Sequence, residues 1–92
     1  MYKIRIAPKF KKDLKKVQKR PKDFALTEKI VERLREKGVK GLPAILKPHK
    51  LKGNYKDHLE AHIKPDLLII WIQIESPKKI TLVRIGTHSE LF

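Results

Sequence analysis

The segment Leu67 to Ile74 constrains the fold of this chain most strongly. Its apolar residues are interrupted only by Gln73, and turn-forming residues flank it at Lys64-Pro65-Asp66 and Ser76-Pro77-Lys78. A nearly continuous apolar strand is typical of one that is covered on both faces. We therefore expect it to be a central strand of a small sheet. The run is far too short to cross a bilayer, so no membrane-spanning segment is expected.

Three other segments alternate apolar and polar residues and predict strands. They are Tyr2 to Ile6, Asp57 to Ile63 and Ile80 to Ile85. Strict alternation along the last one would place Arg84 on the same side as Leu82.

Two amphipathic helices are predicted between the first two strands. Pro8 fits the first turn of the first helix, Pro21 ends it, Asp23 is a good N-cap for the second, and Gly38 closes the second. A connection this short predicts an antiparallel hairpin. The apolar stripes are Phe10, Leu14 and Val17 in the first helix, and Leu26, Ile30 and Leu34 in the second.

The predicted order is strand, helix, helix, strand, strand, strand. We expect an α+β fold in which a helical hairpin packs on one face of a small, mostly antiparallel four-stranded sheet, leaving the other face open. A chain of 92 residues can bury one modest core, so residues 1–92 should form a single domain.

The charge of the chain points to a polyanionic partner. Lys and Arg number 23 against 10 Asp and Glu, a net charge of +13. Residues 1–40 carry 15 basic and 5 acidic residues (+10), whereas residues 41–92 carry 8 and 5 (+3). Such an imbalance opposes compaction and favours binding to nucleic acid or an anionic membrane. We expect nucleic acid and no membrane, because the apolar stripe of the first helix is narrow and is needed for the core of the hairpin.

Cysteine is absent, which excludes disulfides and thiolate metal sites and fits a cytoplasmic location. The N-terminus also lacks the apolar segment of a signal peptide. His58 and His62 would share an ion if they lay on a helix. On the predicted strand they lie about 13 Å apart along one face, so we expect neither a metal nor another cofactor.

Polar residues accompany the two most apolar segments near the end of the chain: His62, Asp66, Arg84 and His88. Ionisable groups beside a small core are costly unless they are exposed or used, so they indicate a site on the open face of the sheet. Histidine is the natural acid and base near neutral pH. RNA can be cut without metal when its 2′-hydroxyl attacks the adjacent phosphorus, which requires a base, an acid and cationic support.

The segments PHKLKGNY, EAHIKPDLLIIW and LVRIGTHSELF resemble the YafQ-type branch of the RelE/ParE toxin superfamily. The resemblance implies a toxin of a type II toxin–antitoxin module, a ribosome-dependent endoribonuclease that cuts mRNA in the decoding site and releases a 2′,3′-cyclic phosphate. It also implies that the toxin is a monomer when free and is inactivated in a complex with an acidic antitoxin.

By position in the motifs, the resemblance implies five catalytic residues. His88 is expected to be the general acid, His49 or His62 the general base, and Arg84 a clamp on the transition state. Asp66 would hold a histidine in its working form.

The remaining expected contacts are with the substrate and the ribosome. Leu67 and Trp71 depart from the family pattern, which bears on base stacking and sequence preference. Substrate contacts are expected from Phe92, Lys50, Lys52 and Lys56, and contacts with the RNA of the 70S ribosome from Lys11, Lys12, Lys15, Lys16 and Lys19.

Two other functions fit the same fold: a ParE-like toxin that acts on DNA gyrase, and an RNA-binding module without catalysis. The placed histidines argue against both, because binding alone requires Lys and Arg but no groups that titrate near neutral pH.

Overall fold

A computed structural model describes residues 1–92. It contains a five-stranded mixed sheet, a hairpin of two long helices and a short C-terminal helix. The elements are β1 (Lys3–Ile6), α1 (Pro8–Gln18), α2 (Pro21–Lys37), β2 (His49–Lys50), β3 (Leu59–Lys64), β4 (Leu67–Glu75), β5 (Lys78–Gly86) and α3 (His88–Leu91).

The strands lie in the order β1-β5-β4-β3-β2, so β4 occupies the centre of the sheet as its apolar sequence predicted. β1 runs parallel to β5, and the other neighbours are antiparallel. The α+β prediction is confirmed, but the sheet has five strands rather than four. The additional strand, β2, consists of His49 and Lys50 alone, which is too short to show any alternation.

The helical hairpin covers one face of the sheet, and Trp71 lies fully buried beneath it. The stripe predicted for α1 is confirmed. In α2 the helix begins at Pro21, so Asp23 lies within the first turn instead of capping it. Asp23 is buried 2.8 Å from the ammonium of Lys64. Leu26, predicted to be buried, is 39% exposed.

A β-bulge in β5 changes the predicted orientation of Arg84. Leu82 pairs with Trp71 and Arg84 pairs with Ile70, so Val83 is an extra residue between them. Arg84 therefore shares a face with Ile70, opposite to Leu82. The expectation that it shares a side with Leu82 was wrong, because the extra residue reverses the alternation.

The sheet face opposite the long helices carries Glu60, Leu68, Ile70 and Arg84, and is called the second face below. It is partly covered rather than open. The buried side chains of Leu68 and Ile70 pack with Leu91 of α3, and the loop between β2 and β3 contributes to this cluster. Three partly buried residues pack against this apolar cluster: Leu51, Tyr55 and Val83.

No helix of the chain is both long and apolar enough to cross a membrane.

Candidate functional site on the second face

The strand register aligns four residues in one row across the second face. His49 pairs with Glu60, Glu60 with Ile70, and Ile70 with Arg84. Three strand spacings of about 4.8 Å place the backbones of His49 and Arg84 about 14 Å apart. The row thus carries a histidine at one end and an arginine at the other.

A second row lies two residues further along the strands. His62 pairs with Leu68, and Leu68 with Gly86, where β5 ends. Thr87 then caps α3 through a capping box with Glu90, so α3 begins at His88. The hydrogen bond from the Thr87 amide lowers the pKa of the Glu90 carboxyl below its ordinary value. This cap fixes the first turn of the helix that bears His88.

His49 contacts an acceptor through each ring nitrogen. Its Nδ1 lies 2.8 Å from the carbonyl of Lys47, and its Nε2 lies 3.3 Å from Oε1 of Glu60. The Glu60 side chain is 7% exposed, and its Oε2 has no hydrogen-bond partner. A buried carboxylate with one oxygen unsatisfied is costly to maintain, which is typical of a functional group.

Arg84 forms a two-pronged ion pair with Asp13 of α1. Its Nε lies 2.7 Å from Oδ2, and its Nη2 lies 3.1 Å from Oδ1. The Asp13 carboxylate raises the pKa of the Arg84 guanidinium above its ordinary value, and the Tyr55 hydroxyl contributes to the same shift. Arg84 therefore remains a fixed cation.

Four aromatic rings follow one another beside these groups. The centroid of Tyr55 lies 5.4 Å from that of His58 and 5.6 Å from that of Phe92, both edge to face. The Phe92 ring lies 5.0 Å from His88. Phe92 is 55% exposed, so it can offer a surface to a nucleobase.

The other predicted site residues are exposed. Asp66 lies in the turn between β3 and β4, where its carboxylate contacts no histidine; the carboxylate that does so is Glu60. The catalytic assignment of Asp66 stays a prediction. Lys50, Lys52 and Lys56 belong to β2 and the loop that follows it, beside the aromatic rings. The lysines predicted to contact the ribosome, Lys11, Lys12, Lys15, Lys16 and Lys19, are all exposed on α1 or just after it.

Pattern reading missed three residues of this site: Asp13, Tyr55 and Glu60. Asp13 is the only acidic residue of α1 and interrupts its lysines. Glu60 lies between two histidines on a predicted strand, where an inward-facing carboxylate needs a partner. These two signals were available in the sequence. The contact of Tyr55 with Phe92 depends on the path of a loop, which no periodicity describes.

The fold is the one that the resemblance to RelE-type toxins implies. A family model described as "Bacterial toxin of type II toxin-antitoxin system, YafQ" matches residues 2–92. The chain therefore belongs to the YafQ family of these toxins, which confirms the resemblance seen in its motifs.

Individual relatives agree with this assignment. The mRNA interferase toxin YafQ of Escherichia coli K12 is 34% identical over 89 residues, 97% of this chain and 94% of that protein. A crystal structure of the E. coli DinJ–YafQ complex matches with a TM-score of 0.86 and 33% identity, covering 100% of this chain and 99% of that one. A metal-bound toxin from Helicobacter pylori matches with a TM-score of 0.86 and 41% identity, covering all of both chains.

The metal in the H. pylori relative raises the question of whether this chain could hold one. No three His, Asp or Glu side chains of this protein lie close enough together to share an ion. The donor set here thus does not fit a protein site for a tightly held metal, which normally takes at least three such ligands.

Proposed function

We propose that this protein is an endoribonuclease that cuts mRNA in the decoding site of the 70S ribosome and is held inactive by a cognate acidic antitoxin in the cytoplasm. The observation that carries the proposal is the combination of histidines, arginine and aromatic rings on one face of a YafQ-family fold. The relative from E. coli named an mRNA interferase, and the complex of YafQ with DinJ, support the activity and the partner.

The proposed reaction is an intramolecular transesterification, in which the phosphoryl group of the scissile phosphodiester is transferred to the neighbouring 2′-hydroxyl. A base removes the proton of that hydroxyl, and the oxygen attacks phosphorus while the bond from phosphorus to the 5′-oxygen breaks. The leaving oxygen receives a proton from His88. The products are a 2′,3′-cyclic phosphate and a 5′-hydroxyl. Each proton-transfer group contributes about 10²- to 10⁴-fold, so two such groups provide useful cleavage on a substrate oriented by the ribosome.

We assign the base to His49, with His62 as the alternative. His49 Nδ1 faces the Lys47 carbonyl, so Nε2 is the nitrogen free to take up a proton. Glu60, 3.3 Å from Nε2, would stabilise the imidazolium that forms. Arg84 would oppose the charge that develops on the phosphoryl oxygens, and Asp66 would hold a histidine in its working form, as its position in the motif implies.

The basic residues and the aromatic rings serve binding in this proposal. The exposed lysines of α1 would contact phosphates of ribosomal RNA, and the loop lysines would contact the mRNA backbone. Phe92 would stack on a base beside the cut. The free protein would be a monomer, and an acidic antitoxin segment would complement the same basic surface.

Induced expression followed by primer extension on cellular mRNA tests the function. We expect cuts in frame with the codons and only in translated messages. Induction of the DNA-damage response with intact mRNA would instead indicate the gyrase-directed activity. Binding to RNA without any cuts would indicate a plain RNA-binding module.

A further inference from the structure

We infer that Asp13 is a positioning residue for cleavage, which fixes the guanidinium of Arg84 at the edge of the site. The inference rests on the proposed nuclease function and extends it to a residue of α1, which lies outside every motif of the family resemblance.

The carboxylate of Asp13 lies at the outer edge of β5, beyond the end of β1. β1 ends at Ile6, and the last backbone contact on this side of β5 is the hydrogen bond from the Ala7 amide to the Leu82 carbonyl. Beyond this point β5 has no strand partner on its outer edge. The Asp13 carboxylate pairs with this edge in place of a strand. Its Oδ2 accepts a hydrogen bond from the Ile85 amide at 3.1 Å and another from Arg84 Nε at 2.7 Å. Backbone and side chain are thus held by the same carboxylate.

The ion pair between Arg84 and Asp13 is largely buried. The side chains of Arg84 and Asp13 are only 18% and 13% exposed, in contrast to the exposed lysines around them. An ion pair at this depth is screened less by solvent than one on the surface, and its parallel hydrogen bonds fix the plane of the guanidinium. A free arginine above the sheet would sample many rotamers, whose loss on binding RNA would weaken catalysis.

Asp13 engages only some of the N–H groups of the Arg84 guanidinium. Asp13 uses Nε and one hydrogen of Nη2 and leaves Nη1 and the second Nη2 hydrogen to other acceptors, namely the nearby Tyr55 hydroxyl and phosphoryl oxygens. The charge of Asp13 offsets part of the positive charge of Arg84. Two effects therefore compete: positioning raises the rate, whereas neutralisation lowers it. Positioning should dominate, because a misplacement of about 1 Å in a reacting group costs roughly 100-fold.

The test is a double-mutant cycle with Asp13→Asn and Arg84→Gln. Asparagine retains an oxygen for the Ile85 amide but loses the charge and the second acceptor. We expect Asp13→Asn to slow single-turnover cleavage on mRNA-programmed ribosomes by about 100-fold. Ribosome affinity should change less than about 2-fold, since the α1 lysines provide binding. In the Arg84→Gln background the same substitution should change the rate less than about 3-fold.

Glu32→Gln is the matched control. It removes the same charge from an exposed ion pair of α2 with Arg35, 3.3 Å apart, and should leave the rate unchanged. An equal loss in both Arg84 backgrounds would show that Asp13 only supports the fold. A rate that is unchanged or raised by Asp13→Asn would also overturn the inference, the latter because neutralisation would then dominate.

A measurement on the wild-type protein keeps the test independent of how the variants fold. The Nε–H proton of Arg84 should be protected from exchange with water and visible by NMR, unlike that of the exposed Arg35. Exchange as fast as that of Arg35 would refute the proposal that Asp13 fixes the Arg84 guanidinium. If the wild-type protein makes no cuts on ribosomes, the proposed function fails, and the NMR result still decides whether Asp13 fixes Arg84.

Discussion

Glu60→Gln should slow cleavage without destabilising the fold. Glu60 is 5% exposed, and one of its carboxylate oxygens makes no hydrogen bond. Leaving such a group unsatisfied costs about 1–3 kcal/mol. Its ion pair with His49 returns less than about 1 kcal/mol, because the His49 side chain is 47% exposed and the contact is 3.3 Å long. The wild-type carboxylate therefore costs more stability than it contributes.

Glutamine has nearly the same shape and no charge, so it removes the part of this cost that comes from burying an ionised group, while its amide stays buried. A gain of about 1 kcal/mol corresponds to a rise in Tm of roughly 4–8 °C for a domain of this size. Cleavage should fall by about 100-fold if Glu60 stabilises the imidazolium of His49, which is the lower end of the loss expected for a proton-transfer group.

Thermal unfolding and single-turnover cleavage on programmed ribosomes measure the two effects. Glu32→Gln serves as the control, because Glu32 is an exposed glutamate away from the site. A variant with a clearly lower Tm and an unchanged rate would refute the reasoning, since Glu60 would then be a structural ion-pair partner. An unchanged rate would also move the assignment of the base from His49 to His62.

Four other outcomes are expected. His88→Ala should abolish most cleavage while ribosome and antitoxin affinities stay near wild type, as titrations of each complex would show. Changing four lysines of α1 to Gln (Lys11, Lys12, Lys15 and Lys16) should weaken ribosome binding and reduce its salt dependence. Arg84→Gln should instead slow cleavage and leave binding nearly normal. Elemental analysis of the purified protein should find no stoichiometric zinc. The pKa of Glu90 is lowered in the folded state, so its ionised carboxylate stabilises the fold. This stabilisation is complete above the unfolded pKa and is lost as the pH falls through the folded pKa. Acid unfolding of the Glu90→Gln variant should therefore depend less on pH than that of the wild-type protein.

The regular elements of this fold could be predicted because their patterns are local. The strand around Trp71 follows from its continuous apolar residues, and the first helix from the spacing of Phe10 and Val17. The bulge at Val83 could not be predicted, because it depends on how β5 pairs with β4. The wrong side assignment for Arg84 follows directly from this.

The site shows the same division between local and long-range information. The motifs predicted the histidines and Arg84 as site residues. The carboxylates that contact His49 and Arg84 belong to other elements and were not predicted. Asp13 and Arg84 lie 71 residues apart in sequence and meet only because α1 passes along the free edge of β5. Sequence similarity suggested Asp66 as the partner of a histidine, but the register pairs Glu60 with His49.

The acidic residues of the site have a common role that follows from the net charge. The chain has only 10 acidic residues and a charge of +13, so carboxylates are scarce. Three of them lie at this site: Asp13 holds Arg84, Glu60 contacts His49, and Glu90 caps the helix that begins with His88. The exposed lysines attract RNA without fixed geometry, whereas Arg84 and His49 each contact a carboxylate and the helix turn that begins with His88 is capped by one. Nonspecific attraction and precise positioning are therefore assigned to different residues, so a loss of positioning should reduce the rate far more than the affinity.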